Sequence, residues 1–88
     1  MNSVDFRLEI KVFKQAGCLD EKVGELYVTG YDLPFSKIKI TRQIKDLHGK
    51  IIECRWAVDE KGNRWEFMRE RVDKSYPNHV STAKGNKN

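Results

Sequence analysis

The stretch VDFRLEIKV, residues 4–12, identifies the fold class because its apolar and polar side chains alternate without a break. A period of two is that of a β-strand with one apolar face and one solvated face. The sequence therefore predicts a domain whose first element is a strand. The apolar face carries Val4, Phe6, Leu8, Ile10 and Val12, and the polar face carries Asp5, Arg7, Glu9 and Lys11.

The middle of the chain continues this pattern. Residues 23–29, VGELYVT, return to β-forming residue types after a loop-like segment, so they can pair with residues 4–12 in an antiparallel hairpin with a long loop. Residues 31–35, YDLPF, contain a proline, which favours a turn or a strand edge. Residues 36–41, SKIKIT, alternate again and are expected to direct Ile38 and Ile40 inward.

A second hairpin is predicted in the C-terminal half. Residues 50–58, KIIECRWAV, form its first strand, and the strand that begins at Trp65 returns. The intervening residues 59–64, DEKGNR, are the hairpin loop, in which Gly62 or Asn63 can adopt a positive φ at low energetic cost.

Length and composition set the size of the fold. The 88 residues are 39% hydrophobic and 34% charged, a mixture typical of one small folded domain and not of intrinsic disorder. The pattern predicts an all-β fold, a small five-stranded OB-fold barrel with at most one short helix, and an SH3-like barrel is the alternative. Residues 41–47, TRQIKDL, are the candidate for one or two helical turns. Residues 3–78 are assigned to the OB-fold domain and residues 79–88 to a polar, disordered tail.

Charge and cysteine content exclude several classes of function. The net charge of +4 is small for a protein that binds nucleic acid by phosphate neutralisation alone. Cys18 and Cys54 lack the paired spacing of a metal site, so no metal ligands are predicted. No signal peptide or long apolar run is present, which indicates a cytosolic or nuclear protein without membrane contact.

Residues 65–78, WEFMRERVDKSYPN, begin as a barrel strand and end in charged residues. If residues 65–73 are extended, alternation places five side chains on one face: Trp65, Phe67, Arg69, Arg71 and Asp73. Two guanidinium groups about 7 Å apart on one side can bind separate oxygens of a polyphosphate. Periodicity alone favours a solvated face of weak ion pairs, and the phosphate-binding interpretation stays open beside it.

Aromatic residues offer a second choice of function. Trp56 and Trp65 face each other across the predicted hairpin and can either stack on a nucleic-acid base or pack in the core. Core packing is the favoured interpretation, because both tryptophans lie on alternating apolar faces.

The C-terminal string resembles the final nucleotidyltransferase motif of eukaryotic mRNA capping guanylyltransferases. In that motif an aromatic-led strand is followed by R-x-R-x-D-K and, four residues after the lysine, by asparagine; the matching residues are Arg69, Arg71, Asp73, Lys74 and Asn78. The stretches NSVDFRLEI, GELYVTGYDLPFSKIKIT and GKIIECRW are similar to the same family and occur in its order. The resemblance covers the chain to about Thr82.

This resemblance implies an OB domain that closes over a nucleotidyltransferase domain of the same enzyme. By matching position, Arg69, Arg71 and Lys74 would bind the β and γ phosphates of GTP, Asp73 would orient an arginine or assist a metal ion, and Asn78 would support the motif. The implied substrates are GTP, with Mg or Mn in the complete enzyme, and the 5′-diphosphate end of nascent mRNA. The resemblance also implies nuclear location and contact with the RNA polymerase II C-terminal tail.

One departure from the family limits this expectation. The nucleophilic lysine of a K-x-D-G motif, which forms a covalent lysyl-GMP intermediate, is absent from these 88 residues, so no catalytic residue is assigned in this chain. The chain is interpreted as one domain of a larger enzyme, inactive alone and expected to bind no cofactor in isolation. The alternatives are a free-standing OB module that binds single-stranded RNA and the OB domain of an ATP-dependent DNA ligase.

Overall fold

A computed structural model describes residues 2–85 and contains five strands and one short helix in that range. The elements in chain order are β1 (Ser3–Phe13), β2 (Glu21–Tyr27), β3 (Ser36–Ile38), β4 (Ile51–Asp59), β5 (Gly62–Glu70) and α1 (Val80–Gly85). The predicted all-β class, with five strands and at most one short helix, is confirmed.

The five strands form a single antiparallel sheet in the order β3-β2-β1-β4-β5. The outer strands β3 and β5 also contact each other, so the sheet curls into a barrel-like shape. Curling covers sheet edges that would otherwise be exposed. The predicted hairpin of β1 and β2 is confirmed, and so is the hairpin of β4 and β5.

The interior of the curled sheet contains Val4, Phe6 and Leu8 of the apolar face that the alternation of β1 predicts, whereas Val12 at the end of that face is 47% exposed. Trp65 is 3% exposed, and its ring lies 4.8 Å from Phe6 and 5.1 Å from Trp56 between centroids, edge to face in both pairs. The predicted packing of Trp65 in the core is thereby confirmed, and Trp56 packs against it while half-buried. The core residues are Val4, Phe6, Leu8, Leu26, Val28, Ile38, Ile44, Ile52, Cys54, Trp65 and Ala83.

The loop of the second hairpin is shorter than predicted. Strands β4 and β5 extend to Asp59 and from Gly62, which pair with each other. Gly62 has a φ of 111°, a value that favours glycine because other residues meet a steric penalty there. Asn63 does not adopt a positive φ.

Residues 41–47 form hydrogen-bonded turns and not a regular helix. Only the bond from the Lys45 amide to the Thr41 carbonyl, 3.0 Å, has α-helical spacing, and the bonds of Ile44 to Thr41 and of Leu47 to Ile44 span three residues. Ile44 is fully buried. The prediction of one or two helical turns therefore holds only for the single turn from Thr41 to Lys45, which suffices to place one apolar side chain in the core.

The predicted disordered tail is wrong for residues 80–85, which form α1. The chain before the helix pairs with Thr29, just after β2: the Thr29 amide donates to the Asn78 carbonyl at 2.9 Å, and the Val80 amide donates to the Thr29 carbonyl at 2.8 Å. Ala83 of α1 is fully buried in the core. Residues 86–88 of the predicted tail lie outside the described residues.

Within the part of the chain that the structure describes, no helix has both the length and the apolar character needed to cross a bilayer.

Candidate functional site

An irregularity in β5 determines where the candidate arginines point. Cys54 of β4 pairs with Phe67, but the preceding residue Glu53 pairs with Arg69, so Met68 is an extra residue in the ladder. Such a β-bulge exchanges the faces on either side of it. Phe67 faces the core together with Cys54, whereas Arg69 lies on the outer face with Glu53. The prediction that Trp65, Phe67 and Arg69 share one face is therefore wrong for Arg69, because the extra residue Met68 shifts it to the opposite face.

Arg69 binds a carboxylate of the neighbouring strand. Its Nε lies 2.6 Å from Glu53 Oε1, and Ser3 Oγ donates a hydrogen bond to the other oxygen, Glu53 Oε2. The hydrogen bonds from Ser3 and Arg69 lower the pKa of the Glu53 carboxyl below its usual range. The Arg69 side chain remains 64% exposed, so this pair lies at the surface of the outer face.

After β5 the chain folds back over the outer face of β1 and covers Asp5. Arg71 Nη1 donates to both Asp5 oxygens, at 3.2 and 3.0 Å, and Lys74 Nζ donates to Asp5 Oδ2 at 2.7 Å. Asp5 is only 5% exposed although it belongs to the polar face of β1. The structure thus brings Arg71 and Lys74 together on one buried carboxylate, and it places Arg69 on a different one.

The backbone of this covering segment, residues 71–78, is fixed to β1 at its far end. The Asp5 amide donates to Asn78 Oδ1 at 2.7 Å, and the Asn78 amide donates to the Asp5 carbonyl at 2.8 Å. Arg7 Nη2 donates to the Ser75 carbonyl at 2.9 Å and Arg7 Nη1 to the Gly49 carbonyl at 3.2 Å. Asn78, the predicted supporting residue, therefore holds the covering segment on β1 through reciprocal hydrogen bonds.

A polar cleft of about 210 Å³ opens beside Arg71 and Lys74. Its charged side chains are four cations and one glutamate: Arg7, Lys50, Arg71, Lys74 and Glu70. The other lining residues are small or apolar: Gly49, Ile51, Val72 and Ser75. Arg71 Nε is buried and has no hydrogen-bond partner. Leaving a buried donor without a partner is energetically costly, but this atom is closed to solvent, so a ligand in the cleft would meet the exposed parts of the Arg71 and Lys74 side chains first. The excess of cations favours an anionic acceptor.

Asp73 lies at the edge of this arrangement. Its Oδ1 is 3.7 Å from Arg71 Nε, beyond hydrogen-bond distance, and its side chain is 73% exposed. At this distance Asp73 can orient Arg71 electrostatically. Among residues 2–85 no group of three or more His, Cys, Asp or Glu side chains is arranged to hold a metal ion.

The sequence motif at residues 69–78 does not include three residues of the site, Asp5, Arg7 and Lys50. Alternation predicts a solvated position for Asp5, but its partners are 66 and 69 residues away in the sequence. No local pattern reports such a contact. The available signal was the alternation itself, which placed Asp5 and Arg7 on the face that residues 71–78 later cover.

Other candidate groups have surroundings that do not suggest reactivity. Burial raises the pKa of the Cys54 thiol to about 12, so the thiol stays protonated. Cys18 is exposed, and neither cysteine forms a disulfide. A larger groove of about 280 Å³ between β3 and β5 is mainly apolar.

Comparison with known protein families identifies the chain. The family model described as "mRNA capping enzyme, C-terminal domain" matches residues 1–85. The chain belongs to this family. The resemblance inferred from the motif at residues 69–78 is thereby confirmed, in favour of capping enzymes over DNA ligases.

Three relatives of this capping-enzyme domain agree with the match. The chain is 49% identical to the mRNA-capping enzyme of Mus musculus over 83 residues, 50% identical to that of Danio rerio over 82 residues, and 46% identical to that of Caenorhabditis elegans over 84 residues. Each match covers 93 or 94% of this chain but only 13 or 14% of the relative. The capping-enzyme domain is therefore a small part of the length of these relatives.

Proposed function

We propose that this capping-enzyme domain binds the β and γ phosphates of GTP for an mRNA guanylyltransferase. The observation that carries the proposal is the pairing of Arg71 and Lys74 on Asp5 at the edge of a cationic cleft. The Arg71 and Lys74 side chains remain 22% and 30% exposed, and Lys74 Nζ uses on Asp5 only one of the three hydrogens that an ammonium can donate. Both cations can therefore bind phosphate oxygens without leaving Asp5.

The chemistry of the reaction explains why cations are needed here. When a nucleophile attacks the α-phosphorus of GTP, pyrophosphate leaves and negative charge accumulates on its oxygens. Cations held in position stabilise that charge more in the transition state than in the ground state. Arg71 and Lys74 supply this stabilisation, Asp73 orients Arg71, and Arg69 extends the cationic surface along the outer face.

The remaining groups of the reaction belong to other parts of the complete enzyme. The lysine that forms the GMP adduct lies in a nucleotidyltransferase domain, on which this domain closes. The strand order β3-β2-β1-β4-β5 with contacting edges supports an OB-type barrel for the closing domain. A Mg or Mn ion bound to GTP would neutralise part of the phosphate charge, and the exposed Asp73 carboxylate is the group of this chain that would contact it. The acceptor of GMP is the 5′-diphosphate end of nascent mRNA. Because nascent mRNA is made in the nucleus, the enzyme acts there, and the RNA polymerase II C-terminal tail is a further partner.

A test uses the complete enzyme that carries this domain. Arg71→Ala or Lys74→Ala should lower the rate of covalent GMP-adduct formation from labelled GTP by more than about tenfold, because each removes a charge-assisted phosphate contact. Arg64→Ala is the matched control: Arg64 pairs with Asp59 near the opposite end of β5, and its loss should leave the rate unchanged. Equal rates for Arg71→Ala and Arg64→Ala would contradict the proposal.

The isolated chain provides a second test. Incubated with labelled GTP and magnesium, it should form no covalent GMP adduct, because the K-x-D-G lysine is absent from its sequence. A stable labelled chain after denaturing electrophoresis would contradict this assignment of roles.

Binding of single-stranded RNA has weaker support. The groove between β3 and β5 is lined by Lys37 and Lys39, but its tryptophan, Trp65, is 3% exposed and unable to stack on a base. A titration with single-stranded oligonucleotides at two salt concentrations tests this alternative, for which micromolar affinity with a steep salt dependence is expected.

A further inference from the structure

We infer that Asp5 is a positioning residue, which holds Arg71 and Lys74 in the orientation that binds phosphate. This inference rests on the proposed function and adds to it a residue outside the R-x-R-x-D-K motif. Asp5 comes from the first strand, whereas the cations that it binds follow the last strand. The two ends of the sequence thus build one site.

The burial of Asp5 distinguishes it from the other carboxylates of the outer face. Its side chain is 8% exposed and accepts three hydrogen bonds, two from Arg71 Nη1 and one from Lys74 Nζ. Its main chain is fixed independently, because the Asp5 amide and carbonyl both bond to Asn78. Asp5 is therefore a rigid anchor for two long, flexible side chains.

Anchoring has a direct effect on ligand binding. Arginine and lysine side chains lose rotamer freedom when they bind a ligand, and the loss weakens binding unless the side chains are already ordered. Asp5 orders both, and its charge also reduces their mutual repulsion. Arg71 contacts Asp5 through Nη1 and Lys74 contacts it through Nζ, while the two side chains remain 22% and 30% exposed and so can meet a ligand.

Asp5 could also have the opposite effect and weaken phosphate binding. A carboxylate that binds the same cations can compete with phosphate, in which case its removal would strengthen GTP binding. Positioning and competition therefore predict changes of opposite sign when the Asp5 charge is removed.

The main experiment compares Asp5→Asn with the unaltered complete enzyme. Positioning predicts that GMP-adduct formation from labelled GTP slows by about tenfold, similar to the loss of one phosphate contact. The transfer of GMP from a preformed adduct to RNA should keep its rate, since no pyrophosphate takes part in that step. Glu9→Gln, which alters a half-buried carboxylate of the same strand face that pairs with the exposed Lys11, is the control and should change neither rate.

Two further variants separate positioning from a general loss of folding. Asp5→Glu keeps the charge but displaces the carboxylate, so its adduct rate should lie between those of Asp5→Asn and the unaltered enzyme. In an Arg71→Ala, Lys74→Ala background, Asp5→Asn should cause no further loss, because its effect passes through those two side chains. An equal further loss in that background would overturn the inference in favour of a structural role.

The outcomes also separate this inference from the proposed function. A normal adduct rate in Arg71→Ala would contradict the phosphate-binding function itself. A slow rate in Arg71→Ala together with a normal or faster rate in Asp5→Asn would overturn the positioning role of Asp5 and leave the phosphate-binding function in place.

Discussion

The two ends of β5 carry the same kind of ion pair in opposite environments. At the hairpin end, Arg64 Nη1 lies 2.8 Å from Asp59 Oδ1, and the two side chains are 39% and 46% exposed. Beyond the other end, Arg71 Nη1 lies 3.0 Å from Asp5 Oδ2, and the two side chains are 22% and 8% exposed. The partners and distances are similar, so burial is the main difference between the two pairs.

Burial changes what each pair does for the protein. Exposed pairs contribute little to stability, because water and salt screen them. A buried carboxylate depends on its cations, since removal of one partner leaves an uncompensated charge. The solvated-face interpretation of the alternating charges therefore describes the hairpin end, where Arg64 and Arg55 pair with exposed acids. It does not describe the covered end, where Asp5 is buried.

The largest effect is expected from removing the buried carboxylate. Asp5→Ala should lower the free energy of unfolding of the chain by about 3 kcal/mol, the low end for a broken buried pair, because Arg71 and Lys74 can turn towards water. Urea denaturation followed by tryptophan fluorescence measures the change. Asp59→Ala is the matched control at the exposed end and should leave the midpoint nearly unchanged. Equal shifts in the two variants would remove the distinction between the two ends.

A smaller effect is expected from Asn78→Ala. The side-chain oxygen of Asn78 accepts the Asp5 amide hydrogen at 2.7 Å, and its loss leaves that donor without its partner at a cost of about 1–2 kcal/mol. Asn63→Ala, an exposed asparagine in β5, serves as control in the same denaturation experiment. If Asn78→Ala matched the control, the covering segment would be held by other contacts.

Local patterns in the sequence were sufficient for most of the fold. Alternation over residues 4–12 predicted β1 and its core face, and the two hairpins followed from β-forming segments and turn residues. The bulge at Met68 was not predictable in this way, because it depends on which residues of β4 stand opposite. Helix α1 was missed because its anchoring to Thr29 and the burial of Ala83 are tertiary contacts of a polar segment.

The motif residues of the candidate site were predictable from local sequence, but their arrangement in space was not. Arg69, Arg71, Asp73, Lys74 and Asn78 were found through the motif that they form in sequence, whereas their spatial grouping was not. Strand alternation placed Arg69 on the face of Phe67, and the bulge moves it to the face of Glu53. Asp5 carries no motif of its own, and its role in the site depends on contacts across nearly the whole chain.

The smallest effect concerns the pair of intermediate burial, Arg69 with Glu53. Hydrogen bonds from Ser3 and Arg69 lower the pKa of Glu53 in the folded state, so the pair stabilises the fold above the unfolded-state pKa, about 4.3 for a glutamate. This stabilisation is lost as the pH falls through the folded-state value. Glu53→Gln should therefore destabilise the chain at pH 7 by less than about 1 kcal/mol, and this difference should shrink as the Glu53 carboxyl is protonated at low pH. Urea midpoints of the two proteins that converge on acidification would bear this out, whereas a constant difference from pH 7 to pH 2 would assign the effect of Glu53 to packing and not to its charge.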